Sequence, residues 1–448
     1  MIQSNKFKII NARLVNEGQI YDQDLLIEGN RIKKIGNDLS DIRDCDVYDA
    51  NGMYIIPGLI DDQVHFREPG FTHKANITTE SKAALAGGIT SFIEMPNTLP
   101  QTTTRKAWER KNEIGASKSF ANYAFMFGGT NDNLNEILAL DKYRVPALKL
   151  FLGSSTGNML VDNPDVLRKI FSNTDLVIAV HCEDEYTINE NLQSAINEFG
   201  DDIPINHHPI IRSEEACYLS SSQAIKLAKE TGARLHVFHV STAKELSLFE
   251  NNIPLKNKKI TAEVCIHHLW FSSKDYNKKG THIKWNPAIK TKKDQDALWM
   301  ALNNDFIDIL ATDHAPHTLK EKNNKYGQAP SGGPLVQHAL PALLTAYHDE
   351  KITLEKIVEK ACHNPAILYD IKERGFIREG FFADLVVIDL NKEHTVRKSN
   401  ILYKCGWSPF EGITFKGSVE STLLNGKWVY NRGKIHHKSA AMALSFDR

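Results

Sequence analysis

Five polar residues interrupt apolar runs at the runs' C-terminal ends: His65, Lys149, His181, His239 and Asp313. Three imidazoles and a carboxylate suit zinc or a similar borderline divalent ion, and such an ion lowers the pKa of bound water from about 15.7 to roughly 7. The chemistry this points to is hydrolysis by water made nucleophilic near neutral pH. Taken singly, each histidine reads as a hydrogen-bonded core or loop residue; as a set they point to one centre. Lys149 is the odd member, because an ammonium between Leu148, Leu150 and Phe151 is costly to bury and is repelled by a cation. Either it points elsewhere as a surface or salt-bridging residue, or its amine has reacted with carbon dioxide to a carbamate whose oxygens could bridge two metals. Arg67 lies two residues beyond His65 and therefore on the same strand face, and its planar fork suits a carboxylate. The plainer reading pairs it with Glu68 or Asp62 at a rim.

Such residues need a scaffold that gathers strand ends. Apolar runs alternate with helical stretches through the middle of the chain, the pattern of repeated βα units around a parallel sheet. Eight strands are predicted, over 58–65, 90–95, 122–127, 147–151, 176–181, 234–240, 260–265 and 307–312. A helix is predicted from Glu214 to Thr231, with Gly232 as its stop. Eight units favour a closed (β/α)8 barrel of the TIM type, in which active sites form at the strands' C-terminal ends. A doubly wound sheet would place a glycine fingerprint after its first strand, and none stands there. Both ends of the chain instead read as hairpins. The first has strands over 8–15, 24–28 and 31–35, and the last has strands over 383–389, 419–424 and 427–430 about the turn Asn425-Gly426. The division expected is 1–56 and 373–448 forming one composite β-sandwich, with the barrel over 57–372.

Charge and composition narrow the partners. With 54 Lys and Arg against 55 Asp and Glu, no long-range field draws nucleic acid or an acidic membrane. No apolar run reaches bilayer length, and Met1 to Asn11 lacks the apolar stretch of a signal peptide, so a cytoplasmic protein is expected. Six scattered cysteines without a C-x-x-C pair read as reduced thiols, with Cys182 facing away from His181 in a packing role. His207 and His208 lack strand-end context and read as surface residues; His267 and His268 lie near the barrel mouth and read either as supports behind the ligand residues or as packing. The polar segment 318–334 reads either as a cover over the substrate or as a solvated connection.

Longer strings carry a resemblance. Pro57-Gly58-Leu59-Ile60-Asp61-Asp62-Gln63-Val64-His65-Phe66-Arg67-Glu68-Pro69-Gly70, Met95-Pro96-Asn97-Thr98, His181-Cys182-Glu183-Asp184, His239-Val240-Ser241-Thr242, Glu263 to His268, Asn286-Pro287 and Ala311-Thr312-Asp313-His314-Ala315-Pro316-His317 occur in this order. Together they resemble the amidohydrolase superfamily and, within it, the dihydroorotases. The resemblance implies one or two zinc ions, with Lys149 carboxylated and bridging, His181 and His239 on the more exposed metal, and His65 and Asp313 on the more buried one. It implies that Arg67, Asn97 and His317 hold a substrate carboxylate, that Asn286 contacts the ring amide, and that Asp313 moves the proton. The implied substrates are N-carbamoyl-L-aspartate and L-dihydroorotate, and a homodimer is expected. Gln63 departs from the family's His-x-His: it is either a weaker neutral ligand or a hydrogen-bonding residue of the barrel mouth. Two rival functions remain at this stage, another cyclic amidase such as a hydantoinase or allantoinase, and a catalytically silent scaffold.

Overall fold

The computed structural model describes residues 4–37, 39, 41–153, 159–436 and 439–448. The apolar runs become strands Leu59–Val64, Ile89–Glu94, Asn122–Phe125, Ala147–Phe151, Val177–His181, Leu235–Val237, Ile260–Cys265 and Ile309–Ala311. Every residue in them except Ile260 is buried, as expected of parallel strands covered on both faces. Neighbours in sequence pair in parallel. The predicted third strand is interrupted at Met126, so that Asn122–Phe125 pairs with the second strand while Phe127–Gly128 pairs with the fourth. The eighth closes on the first through the bridge between Val64 and His314, with the His65 N–H donating to the His314 carbonyl at 2.7 Å. Asp61 adds a lock, accepting from the Thr312 hydroxyl at 2.6 Å. The barrel is closed, as the eight-unit pattern implied.

The sixth strand is shorter than predicted for a local reason. His239 has φ 41°, a left-handed conformation that an extended strand cannot contain, so pairing stops at Val237. The helix Glu214–Thr231 has its predicted ends: the Ser213 side chain accepts from the Ala216 N–H, and Gly232, at φ 74°, donates its N–H to the Ala228 carbonyl. Its buried residues 216, 217, 220, 221, 224, 225 and 228 form the stripe that packs on the sheet.

Inside the barrel, Ile60, Ile93, Ala124, Ala147, Val177, Ala179, Phe238 and Ile309 form an apolar filling that Tyr369, Leu444 and Phe446 continue at the lower end. The termini build a separate sandwich. One sheet orders Arg31–Gly36, Asp24–Glu28, Lys6–Ile10 and Asp46–Asp49; the other orders Lys434–Ile435, Lys427–Asn431, Ser418–Leu424, Leu385–Asp389, Tyr54–Pro57, Arg13–Asn16 and Gln19–Asp22. Phe7, Ile9, Leu25, Ile55, Leu385, Leu423 and Trp428 fill the space between them. The predicted strand over 8–15 is in fact two strands in different sheets. Asn11, at φ 55°, turns the chain from one layer to the other.

Candidate active site

A cavity of about 300 Å³ opens at the strands' C-terminal ends. All ten residues singled out in the sequence border it: Gln63, His65, Arg67, Asn97, Lys149, His181, His239, Asn286, Asp313 and His317. Three of them, Arg67 (φ 66°), His239 (φ 41°) and Asp313 (φ 47°), hold left-handed backbone that costs roughly 1–3 kcal/mol each in a residue other than glycine. These strained positions stand where strands turn into the cavity.

The histidines and Asp313 fall into two contacting pairs. His65 Nε2 lies 3.2 Å from Asp313 Oδ1, and His181 Nδ1 lies 3.0 Å from His239 Nε2. Hydrogen-bond partners fix what each nitrogen presents. His65 Nδ1 meets Asn97 Oδ1 at 2.8 Å, and an amide oxygen only accepts, so Nδ1 carries the hydrogen and Nε2 turns a lone pair toward the Asp313 oxygen. His181 Nε2 meets Glu183 Oε2 at 2.9 Å, so His181 Nδ1 likewise presents a lone pair toward His239. Burial would raise the Glu183 carboxyl, but Arg212 and His181 outweigh it and hold it at about 2, as an acceptor that keeps this tautomer.

Lys149 lies on the cavity floor, 1% exposed. Its Nζ has no hydrogen-bond partner among the described residues and lies 4.2 Å from the Phe238 ring centre and 4.8 Å from that of Phe151. Burial pushes its ammonium down to about 7 despite Asp313 and Glu263, and burial pushes Asp313 up to about 7 despite Lys149. The surface or salt-bridging reading of Lys149 is therefore set aside.

Arg67 is also buried, which lowers its guanidinium to about 10. Its Nε donates to the Pro316 carbonyl at 3.1 Å. Nη2 lies 3.0 Å from His317 Nε2, yet His317 Nδ1 already accepts from the Lys74 ammonium at 3.0 Å, which leaves Nε2 to donate to the Ser331 carbonyl at 3.0 Å. Arg67 Nη2 thus faces a donor, and Arg67 has no carboxylate ion pair among the described residues. Glu68 pairs with Lys118 and Asp62 bonds to the Tyr369 hydroxyl, so the rim partners considered for Arg67 are both engaged elsewhere.

A profile of the amidohydrolase family matches residues 54–429. The chain belongs to this family. It is 32% identical to a dihydroorotase of Methanosarcina mazei over 96% of this chain and 95% of that protein, and 31% identical to a dihydroorotase of Lactobacillus acidophilus over 96% and 99%. Among solved structures it resembles an L-hydantoinase (dihydropyrimidinase) from Arthrobacter aurescens with TM-score 0.93 and 26% identity, covering 99% of this chain and 100% of that one. This family member is therefore a hydrolase acting on cyclic amides, built as a barrel with a β-sandwich.

Amidohydrolases are typically metal-dependent, and the residues here fit that requirement. Imidazole nitrogens and a carboxylate oxygen meet at 3.2 Å in one pair and 3.0 Å in the other, the donor types and spacing that a borderline divalent ion takes. Gln63 is the weaker part of the set: its Oε1 is turned toward the Cys265 thiol at 3.5 Å.

Other parts of the site were only partly legible in the sequence, which left the segment 318–334 open between a cover and a solvated connection. Lys284, Trp285 and the stretch Ala329 to Gly332 also line the cavity. Within the segment 318–334 the residues 329–332 form part of the cavity wall, held by two buried lysines: Lys284 Nζ donates to the Tyr326 and Ala329 carbonyls, and Lys322 Nζ to those of Lys284, Pro330 and Gly332. His208 is not at the surface. It is fully buried, with Nδ1 at the Tyr326 hydroxyl (2.9 Å) and Nε2 at the Trp285 carbonyl (2.6 Å), tying the same wall in place. His207 is half-buried against Phe199. His267 stacks on Trp285 and Cys182 packs in the layer between strands and helices, in line with the packing roles read from sequence.

Proposed function

We propose that this chain is a dihydroorotase, interconverting N-carbamoyl-L-aspartate and L-dihydroorotate. The observation that carries the reading is Arg67: a buried guanidinium at the cavity edge, without a carboxylate partner and facing the donor side of His317, is an anion site waiting for a substrate carboxylate. Asn97 and His317 complete the clamp, and Asn286, whose Oδ1 accepts from Ser331 at 2.9 Å, is placed to meet the ring amide. A hydantoinase handles rings without that carboxylate and gains nothing from such a clamp. A silent scaffold would have less reason to keep strained backbone at Arg67, His239 and Asp313.

One or two zinc ions, held by His65 and Asp313 and by His181 and His239, with a carboxylated Lys149 between them, would supply Lewis acidity for the ring carbonyl and make water nucleophilic near neutral pH. The orphaned Nζ of Lys149 supports this modification, since a carbamate gives the floor acceptor oxygens in place of an unpaired ammonium. Arg67, Asn97 and His317 orient the ring, and the wall from Ala329 to Gly332 keeps bulk water away. Asp313 takes a proton from the attacking water at Oδ1 and returns it to the departing ring nitrogen as the amide bond breaks. Opening turns a ring amide into a second carboxylate and releases one proton, so acid favours the cyclic compound and alkali the open one. In a pyrimidine-building cell the enzyme runs toward ring closure. This reading goes with a cytoplasmic homodimer acting on small molecules, without nucleic acid or membrane partners; no helix of the described residues is long and apolar enough to cross a membrane.

The test is a side-by-side assay of zinc- and bicarbonate-supplied enzyme on dihydroorotate, hydantoin and allantoin. Turnover of dihydroorotate is expected; turnover of hydantoin alone would refute the reading.

A further inference from the structure

Below the cavity, and lining no part of it, Asp62, His236 and Glu263 converge from three different barrel strands or their flanks, each 0% exposed. One ligand atom from each lies within 4.8 Å of the other two. We propose that this cluster is a second, structural metal site that takes a divalent ion of the zinc type.

Hydrogen-bond bookkeeping comes first. The Thr261 hydroxyl donates to the Leu235 carbonyl at 3.2 Å, so at 2.8 Å from His236 Nδ1 it can only accept, and Nδ1 carries the hydrogen. The other nitrogen, Nε2, then turns its lone pair toward two carboxylates, 3.4 Å from Asp62 Oδ2 and 3.9 Å from Glu263 Oε2. Nε2, Asp62 Oδ1 and Glu263 Oε2 all lack hydrogen-bond partners. Something positive belongs among them.

Distance separates the two candidates. A proton on Nε2 would draw a carboxylate in to about 2.7–2.9 Å. Two ligand atoms each about 2.0–2.2 Å from a shared ion, at tetrahedral or somewhat wider angles, stand roughly 3.3–4.0 Å apart, which matches both spacings from His236 Nε2. Charge agrees: neither carboxylate has a Lys or Arg ion pair among the described residues, and a dication with a neutral imidazole cancels both. The remaining oxygens are already anchored. Asp62 Oδ2 accepts from the Tyr369 hydroxyl at 2.8 Å, and Glu263 Oε1 accepts from the His239 N–H at 3.0 Å and the Cys265 thiol at 3.2 Å. An ion here would hold Glu263 still, and with it the strained backbone of His239 above.

The test is anomalous scattering at the zinc edge from crystals of the full chain purified with zinc, together with zinc content per chain. The expected result is a peak enclosed by Asp62, His236 and Glu263, and a loss of one zinc per chain in His236→Gln with cavity peaks retained. Should that variant not fold, Asp62→Asn is measured the same way. Absence of zinc among the three residues, whatever the cavity holds, or full zinc content in the folded variants, overturns the proposal and leaves a proton as occupant. The dihydroorotase reading is judged by the cavity peaks and by turnover, so the two can fail separately.

Discussion

The cations facing the cavity and the cation that plugs the lower end of the barrel are treated in opposite ways. At the lower end the Arg448 guanidinium donates to the carbonyls of Lys142, Val145, Pro146 and Tyr369 and lies 3.5 Å from Asp370. At the upper end Lys149 has no acceptor at all, and Arg67 has one carbonyl and a neighbouring donor. The positive-φ residues among the predicted site positions also belong to the upper end. Lys284 and Lys322 show that the upper end also satisfies the cations of its wall; only Lys149 and Arg67, which face the cavity itself, are left open for a ligand.

The sharpest way to break this contrast is Lys149→Met. If the lysine serves chemistry alone, turnover of dihydroorotate should fall by at least about 10²–10³-fold, the scale for removing one group that stabilises developing charge. In zinc-free, uncarboxylated protein the melting temperature should hold or rise, because an unpaired buried charge has gone. A drop of several degrees would place Lys149 with the structural cations instead. Next comes Arg67→Gln. Loss of the carboxylate clamp should lower kcat/KM for dihydroorotate by about 100-fold, and a smaller, uniform loss on hydantoin as well would deny Arg67 its part in selecting the substrate.

Lys322→Met sharpens the comparison from within the cavity wall. Like Lys149 this lysine is fully buried, but its ammonium serves three carbonyls. Removing it leaves acceptors unsatisfied, so chemical denaturation should show a loss of about 1–3 kcal/mol, the opposite sign from Lys149→Met. Equal effects from the two substitutions would remove the distinction.

What the sequence made legible follows from the range of the interactions involved. Strands, the helix Glu214–Thr231 and the cavity residues His65, Arg67, Lys149, His181, His239 and Asp313 depend on periodicity, caps and strand ends, all local signals, whereas Gln63, Asn97, Asn286 and His317 were marked only by the family resemblance. His208 escaped because its burial rests on Tyr326 and the Trp285 carbonyl, far along the chain. Lys284 and Lys322 carried no signal because their acceptors are carbonyls, which every residue carries and no sequence marks. Asp62 and Glu263 stood within motif strings, but their meeting with His236 depends on closure of the barrel, which brings strand one toward the paired strands six and seven. The break at Asn11 had a signal, an Asn in a β run that tolerates left-handed backbone, but nothing local says that the next strand joins another sheet.

The smallest expected effect tests the lower end. Arg448→Ala takes one donor from each of several carbonyls that lie close enough to solvent for water to replace part of what is lost, since Arg448 is only partly buried. A loss of about 1–2 kcal/mol by denaturation is expected, with kcat/KM on dihydroorotate unchanged within about twofold. The reason for the split is distance along the barrel axis: the apolar filling around Phe238 and Ile309 and the Asp62, His236 and Glu263 cluster lie between this plug and the cavity. A fall in turnover as large as that from Arg67→Gln would mean that the plug sets the geometry of the upper face, and the two ends could no longer be treated as separate.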